Sequence, residues 1–233
     1  MLTWIGRDDP FPPAERALSE PNGLLCAGGE LSMQRLLEAY RRGIFPWYSR
    51  GEPILWWSPD PRMVLHTDEL KVPRSLAKNL RNKGFELRVD SAFREVLKKC
   101  AEPRKGEAGT WLGPGMRSAY LELHEAGYAH SFETWREGAL VGGLYGVAIG
   151  RMFYGESMFS RATDASKVAL VHLIRFLKEK GFPLVDCQMN TPLLASLGAR
   201  EIPRRAFLRA MSALVNYEEA PCTWETSGKP SET

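Results

Sequence analysis

The chain has 233 residues, 44% of them hydrophobic and 25% charged, with a formal net charge of +3. These values fit an ordinary globular protein built as one large domain, or as a small domain joined to a larger one. They leave room for a polyanionic partner without requiring one, and no apolar run approaches the ~20 residues of a membrane-spanning helix.

In chain order, Ser32 is placed to cap a helix whose apolar stripe is Met33, Leu36, Leu37 and Tyr40. Arg41 and Arg42 close it, where the helix dipole favours cations, and Gly43 supplies a left-handed cap. From Gly43 to Arg62 the chain packs five aromatic residues and four prolines into twenty positions. Proline removes backbone donors, so this stretch is neither a long helix nor a central strand. It is either an aromatic plug between two layers or the wall of a site. The composition changes near Arg62, which predicts a small N-terminal domain over 1–62 and a second domain over 63–233.

Lys71, Arg74, Lys78, Arg81 and Lys83 follow with no acidic residue among them, as a basic helix or arm. It is a solvated face or a phosphate contact. Phe85–Val89 alternates like a strand, and Asp90 or Ser91 is placed to cap a helix running to about Cys100. Met116–Ala126 reads as a helix closed by Gly127. Strands are expected over 129–135 and 139–150, with a turn at Glu137-Gly138, and again over 152–160. A helix over 165–180, capped by Thr163 or Asp164, leads to a short strand at 183–188 and a last helix over 205–215. The tail from Glu218 reads as polar and loose. This order predicts an α+β protein whose second domain is a mixed sheet flanked by helices, a pattern shared with coenzyme A-dependent acyltransferases.

Two strands carry candidate chemistry. At period two, Glu156, Met158 and Ser160 share one face, and Asp186 shares another with Gln188, opposite Val185 and Cys187. Their apolar neighbours place both carboxylates in or beside a core. Burying a carboxylate is costly without a partner, so each serves either a reaction or a structural bond to an amide or an arginine. The four cysteines (Cys26, Cys100, Cys187, Cys222) show no CxxC spacing, and the four histidines no HxH or HExxH pattern. A disulfide framework, a zinc site and metal catalysis therefore lack support, and a reducing, cytoplasmic setting is expected. The N-terminus shows no secretory signal pattern. No nucleophile–base pair or Walker motif is visible, and GGLYGVAIG (142–150) is not a GxGxxG loop. Between Ser160 and Ala165, where coenzyme A needs a glycine-rich turn of amides, the chain has Arg-Ala-Thr-Asp.

The blocks NGLLCAGGELS (22–32), RRGIFPWYS (41–49), PILWWSPDPR (53–62), AHSFETW (129–135), LVGGLYGVA (140–148), GESMFS (155–160), DCQ (186–188), SLGA (196–199) and IPRR (202–205) occur in this order. In them the chain resembles the leucyl/phenylalanyl-tRNA–protein transferases over nearly its whole length; the ends and 66–105 match least. The resemblance implies a small N-terminal domain and an acyltransferase-like (GNAT-like) C-terminal domain that uses aminoacyl-tRNA in place of coenzyme A. It implies transfer of Leu or Phe, and Met less well, to an N-terminal Arg or Lys of a protein, which creates a degradation signal. No cofactor or metal beyond the aminoacyl-tRNA co-substrate is implied, and a monomer is the simplest state.

By position, Trp47, Trp111, Leu144, Phe153, Met158, Leu170, Leu173 and Val185 match the family's amino-acid pocket, with Ser160 beside them. Leu144 stands where other members carry Met. An apolar pocket separates side chains by only ~1–3 kcal/mol per methylene, so relaxed choice among Leu, Phe and Met is expected. By the same resemblance Asp186 polarises Gln188, whose carbonyl accepts a hydrogen bond from the attacking amine. Glu156 shapes the pocket end or holds a donor near the ester, and Glu156 or Asp186 contributes to a slot for the acceptor's basic side chain. For tRNA, Arg41, Arg42, Arg62, Arg74, Lys78, Arg81 and Lys83 are the candidate phosphate contacts, and the aromatic wall is a platform for the terminal adenosine. The histidine that many members place near position 193 is absent. The competing readings are a coenzyme A-dependent N-acetyltransferase and a non-catalytic RNA- or peptide-binding module.

Overall fold

The structure, a computed structural model, describes residues 2–49, 51–82, 84–103, 110–217 and 224. In the N-terminal part, β1 (Thr3–Ile5), β2 (Leu24–Gly28), β3 (Phe45–Pro46) and β4 (Leu55–Trp57) form a four-stranded sheet in the order β1-β2-β4-β3. Helix α1 (Met33–Arg41) links its strands, and the Ser32 hydroxyl accepts from the Arg35 amide as a cap. The Pro/Trp stretch folds into a short hairpin and, against expectation, its strand β4 is an inner one, free of proline, while Pro46 lies in the edge strand β3; its residues divide between plug and wall. Trp56 is fully buried, donates to the Gly28 carbonyl at 2.9 Å and meets Phe11 edge-on. Trp47 stays 41% exposed.

The second sheet has seven strands, most of them in hairpins. Its strands are β5 (Arg62–His66), β6 (Glu86–Val89), β7 (Ala129–Arg136), β8 (Ala139–Ile149), β9 (Met152–Ser160), β10 (Leu184–Gln188) and β11 (Arg200–Ile202). Their order is β11-β5-β10-β9-β8-β7-β6, with β9 and β10 parallel and the other neighbours antiparallel. Helices α2 (Arg74–Asn82), α3 (Phe93–Cys100), α4 (Pro114–Glu125), α5 (Ala165–Glu179), α6 (Pro192–Ser196) and α7 (Arg204–Val215) complete the chain. One apolar core joins the N-terminal sheet to α3, α4 and α7, and a second lies under α5 and α2. The class is α+β, as the pattern predicts. The edge strand β11, the strand β5 and the single-turn α6 add to the expected order.

Three local expectations change. Neither Asp90 nor Ser91 caps α3; the carboxylate of Glu133, from β7, accepts from the Ser91 and Ala92 amides at 3.3 and 3.2 Å. Asp164 stands at the N-cap of α5 in a left-handed conformation (φ 67°) and makes no side-chain cap bond. In the tail, Trp224 is buried and stacks on His130 with centroids 3.6 Å apart, so this position is docked rather than loose. The other tail residues from 218 onward lie outside the described residues. The glycines of β8 serve packing: a Cβ on Gly146 would stand 2.3 Å from the Tyr154 carbonyl oxygen, and one on Gly142 would stand 2.5 Å from Ala165 Cβ in α5.

Candidate active site

Strands β9 and β10 run side by side for three residue pairs only, Leu184↔Met152 to Asp186↔Tyr154. At that level both lose register with their outer neighbours. On β9 the pairing with β8 steps from Gly146↔Gly155 to Tyr145↔Ser157, leaving Glu156 as the extra residue. On β10 the pairing with β5 steps from Asp186↔Val64 to Gln188↔Met63, leaving Cys187 extra. Gln188 takes a left-handed conformation, φ 62°. A bulge bends its strand and re-aims the side chains beyond it, and two bulges at one level spread the strands. The cleft between them is a cavity of about 580 Å³.

The bulge corrects the period-two reading of β10. Val185, Cys187 and Gln188 all line the cavity, whereas Asp186 does not. Asp186 is fully buried against Arg62, with Arg62 Nε donating to Oδ1 at 2.8 Å and Nη2 to Oδ2 at 2.6 Å. Arg62 also donates to the Gly43 carbonyl at 3.2 Å and lies between the rings of Phe45 and Phe207, 4.8 and 4.6 Å from their centroids. Two expectations fall here. Asp186 does not touch the side-chain amide of Gln188; it accepts from the Gln188 backbone amide at 2.9 Å and so holds the bulge in shape. Being enclosed and paired, Asp186 offers no charge to an acceptor and Arg62 none to a phosphate.

Glu156, half-buried on the cavity wall, gathers three donors. The Tyr40 hydroxyl donates to Oε1 at 2.8 Å, Tyr120 to Oε2 at 2.6 Å and Gln188 Nε2 to Oε1 at 2.9 Å. The Glu156 carboxyl is raised to about 7, chiefly by burial and further by the charge of Asp186, against the lowering effect of the bonds from Tyr120, Tyr40 and Gln188. Since Gln188 Nε2 is committed to Glu156, its Oε1 is the atom left to accept from a ligand. The neighbouring Cys187 thiol is raised well above its usual range by burial, which makes it a poor nucleophile.

The apolar end of the cavity lies toward α5. Leu144, Met158, Leu170, Leu173 and Val185 line it together with Leu193 and Leu194, which the sequence pattern did not single out. Trp47, Trp111 and Ser160 also line the cavity, while Phe153 does not: it is fully buried in the core under α5, beside Trp224. Tyr40 and Tyr120 were likewise not expected at the site. Tyr40 sits in the apolar stripe of α1 and reads as core, which by area it is, and only its hydroxyl reaches Glu156.

Among the basic candidates, Arg74, Lys78 and Arg81 are exposed on α2 at spacing i, i+4, i+7, and so share one helix face. Arg41 is exposed and Arg42 pairs with Glu38 at 3.0 Å; Lys83 lies outside the described residues. Among the described residues one group could offer three ligands to a metal, the surface residues His66, Asp68 and Glu69, but none of them lines the cavity and Glu69 is paired with Arg200.

A cleft with an apolar end pocket and an amide acceptor suits an acyl-transfer enzyme in which an amine attacks a bound acyl group directly. The chain belongs to the leucyl/phenylalanyl-tRNA–protein transferase family. The family profile for "Leucyl/phenylalanyl-tRNA protein transferase" matches residues 64–212, and that for its N-terminal domain matches 29–60. The chain is 61% identical over 225 residues to the leucyl/phenylalanyl-tRNA–protein transferase of Chromobacterium violaceum, covering 97% of each chain. It is 65% identical over 214 residues to that of Thiobacillus denitrificans, covering 92% of this chain and 94% of the relative. Solved structures similar to it include L-PGS from Bacillus licheniformis (TM-score 0.41, 13% identity, 67% of this chain and 51% of that one). Another is a GCN5-related N-acetyltransferase from Kribbella flavida (TM-score 0.39, 12% identity, 70% of this chain and 58% of that one).

Removing one partner of the Arg62–Asp186 pair leaves an uncompensated buried charge. Arg62→Ala is expected to cost about 3–5 kcal/mol in urea unfolding, and the apolar double variant R62M/D186L less than either single change.

Proposed function

We propose that this chain transfers Leu or Phe, and Met less well, from aminoacyl-tRNA to the N-terminal Arg or Lys of acceptor proteins, marking them for degradation. The observation that carries the reading is the single cleft that joins an apolar pocket to the Gln188 amide. The amino-acid side chain enters the pocket walled by Leu144, Met158, Leu170, Leu173 and Val185. Burying such a side chain yields about 1.5–3 kcal/mol, enough to seat the ester without choosing sharply among three unbranched-Cβ residues. The acceptor's α-amine meets Gln188 Oε1, which aligns its lone pair on the ester carbonyl carbon. Positioning supplies most of the rate, because an aminoacyl ester is already activated and an α-ammonium has an ordinary pKa of about 7.7–8.0. Trp47, at the mouth, is the platform for the terminal adenosine. Of the two carboxylates that line the cavity among the described residues, Glu102 is bound by Arg161, so Glu156 is the group available to an acceptor's cation.

In this reading the small N-terminal domain ends at Arg62, and the transfer domain follows from 63. The enzyme acts as a cytoplasmic monomer with no cofactor beyond aminoacyl-tRNA. At the start of α5, where an acyltransferase bound to coenzyme A presents amides to a pyrophosphate, the Asp164 carboxylate holds Lys167 and Asn79 instead. That arrangement speaks for the tRNA-dependent reading.

Two measurements test it. Labelled Leu supplied on Leu-tRNA is expected to appear on a peptide beginning with Arg and not on the same peptide with an acetylated N-terminus; folded protein that labels neither overturns the reading. Replacing Arg74, Lys78 and Arg81 together by Ala is expected to weaken tRNA binding. It should also flatten the slope of log K against log salt by about two to three, with the peptide KM unchanged.

A further inference from the structure

The bonds around Glu156 leave one hydrogen missing. The group contains four contacts: Tyr40 to Glu156 at 2.8 Å, Tyr120 to Glu156 at 2.6 Å, Gln188 to Glu156 at 2.9 Å, and Tyr40 to Tyr120 at 2.8 Å. With Glu156 ionised, the hydrogens available to them are three: one on each hydroxyl and one on Gln188 Nε2. One more proton satisfies every contact. Glu156 Oε2–H then donates to Tyr120, Tyr120 to Tyr40, and Tyr40 and Gln188 both to Glu156 Oε1. Neither tyrosine has to move, since the hydroxyl hydrogens only rotate.

We propose that this ring is the proton acceptor of the transfer reaction, with Glu156 taking the proton from the acceptor's α-ammonium and Tyr40 and Tyr120 acting as its positioning residues. The inference rests on the reading of the cleft as an aminoacyl-transfer site. Glu156 lines the same cavity as Gln188, and an amide carbonyl is too weak a base to keep a proton. The α-ammonium therefore passes one proton to the Glu156 carboxylate while a second N–H stays on Gln188 Oε1. The freed lone pair forms the C–N bond. The C–O bond of the ester then breaks, and its electron pair leaves on the ribose oxygen, which takes a second proton from the nitrogen. Glu156 returns the first proton to solvent. The products are an amide and a free ribose hydroxyl, with no change in oxidation state.

The surroundings set the pH at which the ring works. Glu156 faces Tyr40 on α1, Tyr120 on α4, Tyr145 on β8, and Asp186 and Gln188 on β10, with Arg62 on β5 neutralising Asp186 from behind. The Glu156 pKa of about 7 is close to that of an α-ammonium, so the transfer between them is nearly balanced. The sign is fixed: Glu156 must be ionised to accept, so activity rises with pH through about 7. Removing a tyrosine hydroxyl takes a donor from the carboxylate, raises its pKa and moves the acid limb to higher pH.

The test is the pH dependence of single-turnover Leu transfer, at saturating Leu-tRNA and Arg-peptide, by wild type, Glu156→Gln, Tyr40→Phe and Tyr120→Phe. Glu156→Gln is isosteric and each Tyr→Phe keeps the ring in the core; near-ultraviolet circular dichroism confirms that each variant is folded. The expected result is a loss of about 10²-fold or more in Glu156→Gln and acid limbs displaced upward in both phenylalanine variants. Folded variants whose rates and limbs match the wild type overturn the ring as proton acceptor while leaving the transferase reading intact. A wild type that transfers nothing overturns both.

Discussion

The site depends on one buried ion pair. Arg62 and Asp186 meet through two parallel bonds in a fully enclosed position, at the last level where β9 and β10 are still paired. Such a pair is costly to bury and rarely adds net stability. What it supplies here is shape. Asp186 also receives the backbone amide of Gln188, which fixes a bulge that would otherwise have several ways to relax. Arg62 binds the Gly43 carbonyl at the end of α1 and so ties that helix, which carries Tyr40, to the same point. One charged contact thereby aligns the strand that bears Gln188 with the helix that holds Glu156.

From this point the cleft follows. Two adjacent strands bulge at one level, separate, and leave a cavity with an apolar floor and a polar rim. The rim then orients itself: Tyr40 and Tyr120 orient Glu156, Glu156 fixes the amide of Gln188, and the remaining oxygen of that amide is offered to a ligand. Each member has its rotamer set by a bond to the next, which is how a flexible Gln side chain becomes a rigid acceptor.

Much of this was legible in the sequence. Helical spacing located α1, α4, α5 and α7, and the apolar runs located β7 to β10 to within a residue or two. Glu156, Gln188 and most of the residues matched to the pocket by resemblance line one cavity. What failed was alternation. Period two puts Asp186 and Gln188 on one face, and it holds only while the ladder is regular; a bulge is set by pairing between distant strands and leaves no local pattern. Arg62 was read with the surface cations because nothing beside it in sequence reveals a partner 124 positions away. Tyr40 and Tyr120 passed as core for the opposite reason, since their rings are core and only their hydroxyls belong to the site.

The claim that the cleft works by holding Gln188 as an amine acceptor is tested most directly by Gln188→Met, which keeps the length and removes the amide. Single-turnover transfer and the affinity for aminoacyl-tRNA are measured side by side. The account predicts a rate lower by about 10²-fold with aminoacyl-tRNA affinity and the unfolding midpoint unchanged. A folded variant that transfers at the wild-type rate would contradict it.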